Sequence, residues 1–160
     1  MLGLYKNSDF QRACDLGYSY FDANKNNEEF ISIYAFSCLN ADHIDRLAIP
    51  IISLRFSKEA RANASYFSII LMQKKLLYHA LLDNYDVSIY ALPTTEHILS
   101  KVFDLYAKLG PHQPQDFYLF EDESDNNLIY KLYISKEERT PKMVIETFYN
   151  DKALKRHIYW

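Results

Sequence analysis

The hydrophobic period of this chain changes once, at Gly110-Pro111, from the 3.6 of a helix to the 2 of a strand. Glycine there can take the left-handed cap and proline forbids continuation, so the pair is a strong helix stop. Before it lie capped amphipathic segments. After it lie "FYLFED", "LIYKLYIS", "PKMVIETFY" and "ALKRHIYW", which are short, aromatic, β-branched and separated by polar turns. Helices in one block and strands in another predict a mainly α, α+β protein: five helices at residues 1–110, then an antiparallel meander of three or four strands at 111–160. "ESDNN" and "NDK" are the expected hairpin tips. A sheet this small needs helices against one face, so it is expected to dock on the helical part.

The helical block has legible boundaries. Ser8 with Gln11 fits a capping box, as does Asn26 with Glu29. Phe10, Ala13, Cys14, Gly17, Tyr20 and Phe21 make one apolar stripe, and Phe30, Ile33, Tyr34, Ser37, Cys38 and Ala41 make the next. A third helix opens at Asp42 and carries Ile44, Leu47, Ile51 and Leu54, with Pro50 kinking or dividing it. Ser57 caps the longest helix, Lys58 to Asp83, which is apolar over much of its circumference and is expected at the centre. The fifth begins at Pro93-Thr94-Thr95 and turns Ile98, Val102, Leu105 and Leu109 inward. With three glycines in 160 residues, such helices need economical connections.

Composition removes several function classes. The formal charge is −3, with Lys and Arg spread along the chain, so the basic footprint of a nucleic-acid binder is absent. No window supplies the roughly 18 apolar residues of a membrane span. Three glycines leave no phosphate cradle, and neither a Gly-x-Ser-x-Gly elbow nor a dinucleotide fingerprint occurs. His43, His79, His97, His112 and His157 are scattered without metal-ligand spacing. His79 and Asp83 share a helix face as a local pair. "EDESD" (Glu121 to Asp125) lacks the glycine and the spaced ligands of a calcium loop and reads as a solvated tip. No cofactor or metal is expected.

Two features remain as candidates. If the turn near residue 25 is short, the first two long helices are antiparallel and Cys14 faces about residue 36, within a turn of Cys38. The thiols either form a disulfide or pack as two small buried hydrophobes. Neither has the electropositive surroundings of a nucleophile, since Arg12 points off the stripe. The other feature is an aromatic surplus. Tyr118, Tyr130, Tyr133, Tyr149, Tyr159 and Trp160 fall among the strands, where aromatics either pack a half-buried sheet or present a surface to a peptide or protein partner. An open edge of the meander could also accept a strand from another chain.

Consecutive capped helices joined as in "YKNSDFQRA" (Tyr5 to Ala13) and "ADHIDRLA" (Ala41 to Ala48) resemble tetratricopeptide-type helical hairpins. The two junctions lie about 36 residues apart, near the 34-residue period of that family. The likeness covers residues 5 to 56; the signature Trp, Leu and Gly of the first helix and the final Pro are not met. It implies that Ala13, Gly17, Ala35 and Ala41 let paired helices approach, and that the chain binds protein segments rather than catalysing a reaction. By that likeness "KNSDFQRACDLGYSYF" is the second helix of a hairpin whose first helix is cut short. "ETFYNDKALKRHIYW" is similar to the strand-turn-strand units of bacterial envelope repeat proteins, with Asp151-Lys152 in place of their Asn-Gly turn. Together with the Lys, Asn, Ile and Tyr bias, these features give the sequence reading: a non-catalytic interaction or scaffold module of a bacterial protein, exported to the periplasm rather than cytoplasmic. Its competitors are a small hydrolase whose His and acidic residues gather only in the fold, and a small-molecule binder with an aromatic pocket.

Overall fold

The computed structural model describes residues 1–160. Its elements are α1 (Leu2–Lys6), α2 (Phe10–Ser19), α3 (Phe21–Asn24), α4 (Glu28–Asn40), a 3₁₀ turn (Ile44–Leu47), α5 (Ala48–Ser53), α6 (Lys58–Asp83) and α7 (Ile98–Ala107), then β1 (Phe117–Glu121), β2 (Leu128–Ser135), β3 (Lys142–Tyr149) and β4 (Lys152–Tyr159). The protein is therefore of the α+β class, with seven α-helices and one four-stranded antiparallel sheet in the order β1-β2-β3-β4. The chain packs as two compact units, Met1–Leu71 and Met72–Trp160, divided inside α6.

In the first unit, α2 and α4 pack together and bury Ala13, Cys14, Gly17, Tyr34, Ala35 and Cys38. Gly17 is required here. A Cβ at that position would lie 2.4 Å from Tyr34 Cδ2 and 2.8 Å from Tyr34 Cβ, well inside contact distance. The caps sit one residue later than expected. Asp9, not Ser8, accepts the Arg12 N–H, because Ser8 is used in a left-handed conformation (φ 59°) to close α1. Ser8 N–H donates to Tyr5 O and Asp9 N–H to Leu4 O, the paired bonds of a Schellman ending. Asn27, not Asn26, caps α4 by accepting from Phe30 N–H at 3.1 Å. Asp42 is likewise left-handed and ends α4 instead of opening a helix. The expected third helix is divided into the 3₁₀ turn and α5, and Pro50 is buried at the third position of α5.

Ser57 caps α6 as expected, accepting from Ala60 N–H at 3.0 Å. A second cap was not legible: Glu28 accepts from Arg55, Phe56 and Ser57 N–H at 2.9, 2.7 and 2.9 Å, just ahead of α6. These donors, Phe56 N–H foremost, hold its carboxyl down at about 2.

In the second unit the sheet buries one face. Tyr118, Phe120, Tyr130, Leu132, Met143, Ile145, His157 and Tyr159 point inward, and Tyr106 of α7 meets Tyr118 edge to face at 5.0 Å. The Lys74 ammonium of α6 donates to the Trp160 carbonyl, and Tyr78 hydroxyl to Pro141 O at 2.7 Å. The inward face of α7 is Leu99, Val102, Phe103 and Tyr106; Leu109 is exposed, which corrects the expected phase. α7 runs only from Ile98, where His97 accepts from Leu99 N–H, to Ala107, so Leu109 lies past its end and off the buried face. Gly110 does take the left-handed conformation, at φ 65°. The β3–β4 turn is Asn150-Asp151, with φ 47° and 63°, the two positive values a type I′ turn requires. The turn pair lies one residue earlier than the sequence comparison placed it.

Candidate interaction surface

Period-2 alternation decides which aromatics the sheet shows to solvent. Tyr118, Tyr130 and Tyr159 lie on the buried face. Tyr130 hydroxyl donates to Asp122 Oδ2 at 2.5 Å, and Tyr118 hydroxyl accepts from Gln115 N–H at 3.2 Å while bonding His112 Nε2 at 3.0 Å. Tyr149 is exposed at the end of β3, next to the turn. Tyr133 and Trp160 stand on the open face, and Trp160 is about half exposed. The six residues singled out from sequence are thus divided among two faces and a tip. The open face also carries Phe117 and Leu119, exposed at 48% and 59%, which the grouping of tyrosines passed over. The phase of "FYLFE" was the available signal, because Tyr118 and Phe120 inward leave Phe117 and Leu119 outward.

Strand register arranges the open face in rows. Phe117, Tyr133, Val144 and Ile158 form one row, in which Val144 is itself buried; Leu119, Lys131, Glu146 and Arg156 form the next; Glu121, Ile129, Phe148 and Ala153 form the third. The Lys131 ammonium lies 5.2 Å from the ring centres of both Phe117 and Tyr133, and that of Lys142 lies 5.1 Å from the Trp160 ring. Glu146 accepts from Tyr133 hydroxyl at 3.2 Å and sits 3.6 Å from Arg156. Partial burial, followed by the Glu146 charge, raises the Tyr133 phenol pKa. The surface therefore combines exposed aromatic and aliphatic groups with charges that order them, the composition from which binding hot spots are built.

Asp122 and the five histidines serve local structure elsewhere in the chain. Asp122, buried beneath a cavity of about 210 Å³ lined by Thr95, Lys101, Asp104 and Ser124, accepts from Ser124 hydroxyl (2.6 Å), Ser124 N–H (2.9 Å), Tyr130 hydroxyl and Lys101 (3.4 Å). The Ser124 bonds first, then Tyr130, hold its carboxyl well below the usual range. An acid so saturated with donors is a weak base. The histidines are dispersed. His43 bonds Gln11 Oε1 at 2.8 Å, His79 pairs with exposed Asp83, His97 caps α7, His112 bonds Gly110 O and Tyr118, and His157 is on the buried sheet face. No three His, Cys, Asp or Glu side chains converge as metal ligands.

Cys14 and Cys38 are bonded in a disulfide, with Cα atoms 4.7 Å apart and neither residue exposed. Arg46, from the 3₁₀ turn, donates to Cys14 Sγ at 3.3 Å and to Asp15 Oδ1 at 2.7 Å. Its position 32 residues downstream explains why sequence neighbours of Cys14 did not reveal it. A cleft of about 330 Å³, lined in part by Tyr106, Tyr118, Tyr133, Asp116 and Lys136, opens in the second unit. No helix is long and apolar enough to cross a membrane. No protein-family model, curated protein or solved structure matches this chain.

Proposed function

We propose that the chain is a non-catalytic protein-interaction or scaffold module, and that the open face of its sheet is the contact surface. The observation that carries this reading is the exposure of Phe117 and Leu119 beside Lys131, Tyr133 and Glu146 on one continuous face. Large apolar groups set among ordered charges suit a protein surface better than a reacting substrate. The likeness of residues 5–56 to tetratricopeptide-type hairpins supports the same class. An exported, bacterial setting accords with the Cys14–Cys38 bond, since disulfides persist in oxidising compartments.

The test uses wild-type chain and Leu119→Asp as paired baits in the natural host, quantified by mass spectrometry. A stoichiometric partner held by wild type and lost by the variant, at unchanged melting temperature, supports the reading. Retention of every partner by the variant overturns it. The 330 Å³ cleft favours one second reading, a binder of small aromatic molecules, because its volume reaches the lower end of ligand pockets. Saturable perturbation of Tyr106 and Tyr133 resonances by such a molecule would favour that reading over the first.

A further inference from the structure

The two edges of the sheet, β1 and β4, complement one another, and we infer that they pair between copies of this chain, β1 of one against β4 of the next. The inference rests on the reading of the chain as an interaction module and names its partner as a second copy.

The backbone phase comes first. Asp122 N–H donates to Leu128 O across β1 and β2. Bonding alternates along an antiparallel strand, so Tyr118 and Phe120 also face β2, leaving the N–H and C=O of Phe117, Leu119 and Glu121 directed outward. Asn150 N–H donates to Asn127 O across β2 and β3. Carried through the register, that phase directs Lys155, His157 and Tyr159 of β4 toward β3 and leaves Arg156 and Ile158 directed outward. Both sets of outward groups belong to residues of the open face, so one antiparallel register satisfies the backbone at Leu119 and Glu121 together with the side chains.

In that register Arg156 stands opposite Glu121, Ile158 opposite Leu119, and Trp160 opposite Phe117. An opposite charge pair, an aliphatic pair and an aromatic pair result, each of a kind that stabilises facing strands. The exposed apolar residues Leu119, Phe117 and Trp160 each gain an apolar neighbour across the new pair. A slip of two residues destroys the match, setting Arg156 against Leu119 or Ile158 against Glu121. Self-pairing of either edge is disfavoured by charge. Two β4 strands bring together segments that each carry Lys152, Lys155 and Arg156, and two β1 strands bring together ends carrying Asp116, Glu121 and Glu123. The strand directions also continue correctly, since β1 of the next copy runs antiparallel to β4. Such a head-to-tail contact does not close on itself and yields a series of oligomers.

Sedimentation analysis of wild type, Glu121→Arg, Arg156→Glu and the double exchange tests the pairing, with thermal melts checking that each variant folds. Wild type is expected to show a weight-average mass that rises with concentration without a fixed endpoint and falls as salt is added. Each single exchange puts like charges opposite and lowers the association constant about tenfold. The double exchange, and a 1:1 mixture of the two single variants, recover it. A monomeric wild type, a closed dimer, or association indifferent to both single exchanges overturns the pairing. A monomeric wild type that still captures a different protein through Leu119 overturns only the pairing and leaves the interaction reading intact.

Discussion

Reducing the Cys14–Cys38 bond removes a constraint whose size follows from its position in the chain. The cysteines are 24 residues apart. The chain-entropy relation for a loop of that length gives about 3.5 kcal/mol of stabilisation at 25 °C through the unfolded state. Reduction of the wild-type chain leaves side-chain volumes almost unchanged, so the packing of Ala13, Gly17, Tyr34 and Ala35 between α2 and α4 is retained. If the chain melts as one cooperative unit of this size, the loss corresponds to roughly 10 °C in midpoint. The assay is urea unfolding of oxidised and reduced protein, followed by circular dichroism. The oxidised form should show the higher midpoint and a smaller slope, because a cross-linked unfolded chain exposes less surface. Both sulfurs are shielded, so reduction should also require opening of the first unit and accelerate with denaturant. Coincident midpoints before and after reduction, or two thiols titrating in denaturant without reductant, would refute the reasoning.

Gly17→Ala should destabilise by about 1–3 kcal/mol, because its new Cβ collides with the rigid base of the Tyr34 side chain. Gly3→Ala, which meets nothing within 4 Å, should be neutral or slightly stabilising in the same chemical-denaturation assay. Asp122→Asn should cost about 1–3 kcal/mol at pH 7, since Tyr130 and Lys101 lose their ionised acceptor. The folded-state pKa of Asp122 is depressed, so its contribution is complete above the unfolded carboxylate value and is lost as pH falls below it. The variant should therefore lack that part of the wild-type acid decline in melting temperature. Glu28 follows the same sign. Glu28→Gln should lower the melting temperature at neutral pH, and the gap from wild type should narrow as pH falls from 4 toward 2.

The α+β class, a meander of three or four strands and the span of α6 were legible because long stripes and strict alternation average over many residues. Errors of one residue arose at the starts of α2 and α4, and a larger one at α7, which begins at Ile98 and not at Pro93. At α2 and α4 the choice between Ser8 and Asp9, or Asn26 and Asn27, depends on which residue takes the left-handed or extended conformation, and both candidates are good caps. The meeting of Cys14 with Cys38 followed from counting along an antiparallel pair. The approach of Arg46 to Cys14, and of Glu28 to the start of α6, depends on chain reversals 27 to 32 residues long that no local pattern encodes. For the proposed contact surface, residue type left packing and display both open, and strand phase decides between them. Tyr118, Tyr130 and Tyr159 are core residues, whereas Phe117 and Leu119 face solvent.

The measurement closest to the central claim is a ¹⁵N–¹H dilution series of the intact chain, from the highest soluble concentration downward. The account predicts concentration-dependent shifts confined to Phe117–Glu121 and Lys155–Trp160, with α2, α4 and the disulfide region unmoved. Spectra unchanged across the series, or shifts centred away from the open face of the sheet and its two edges, would contradict it.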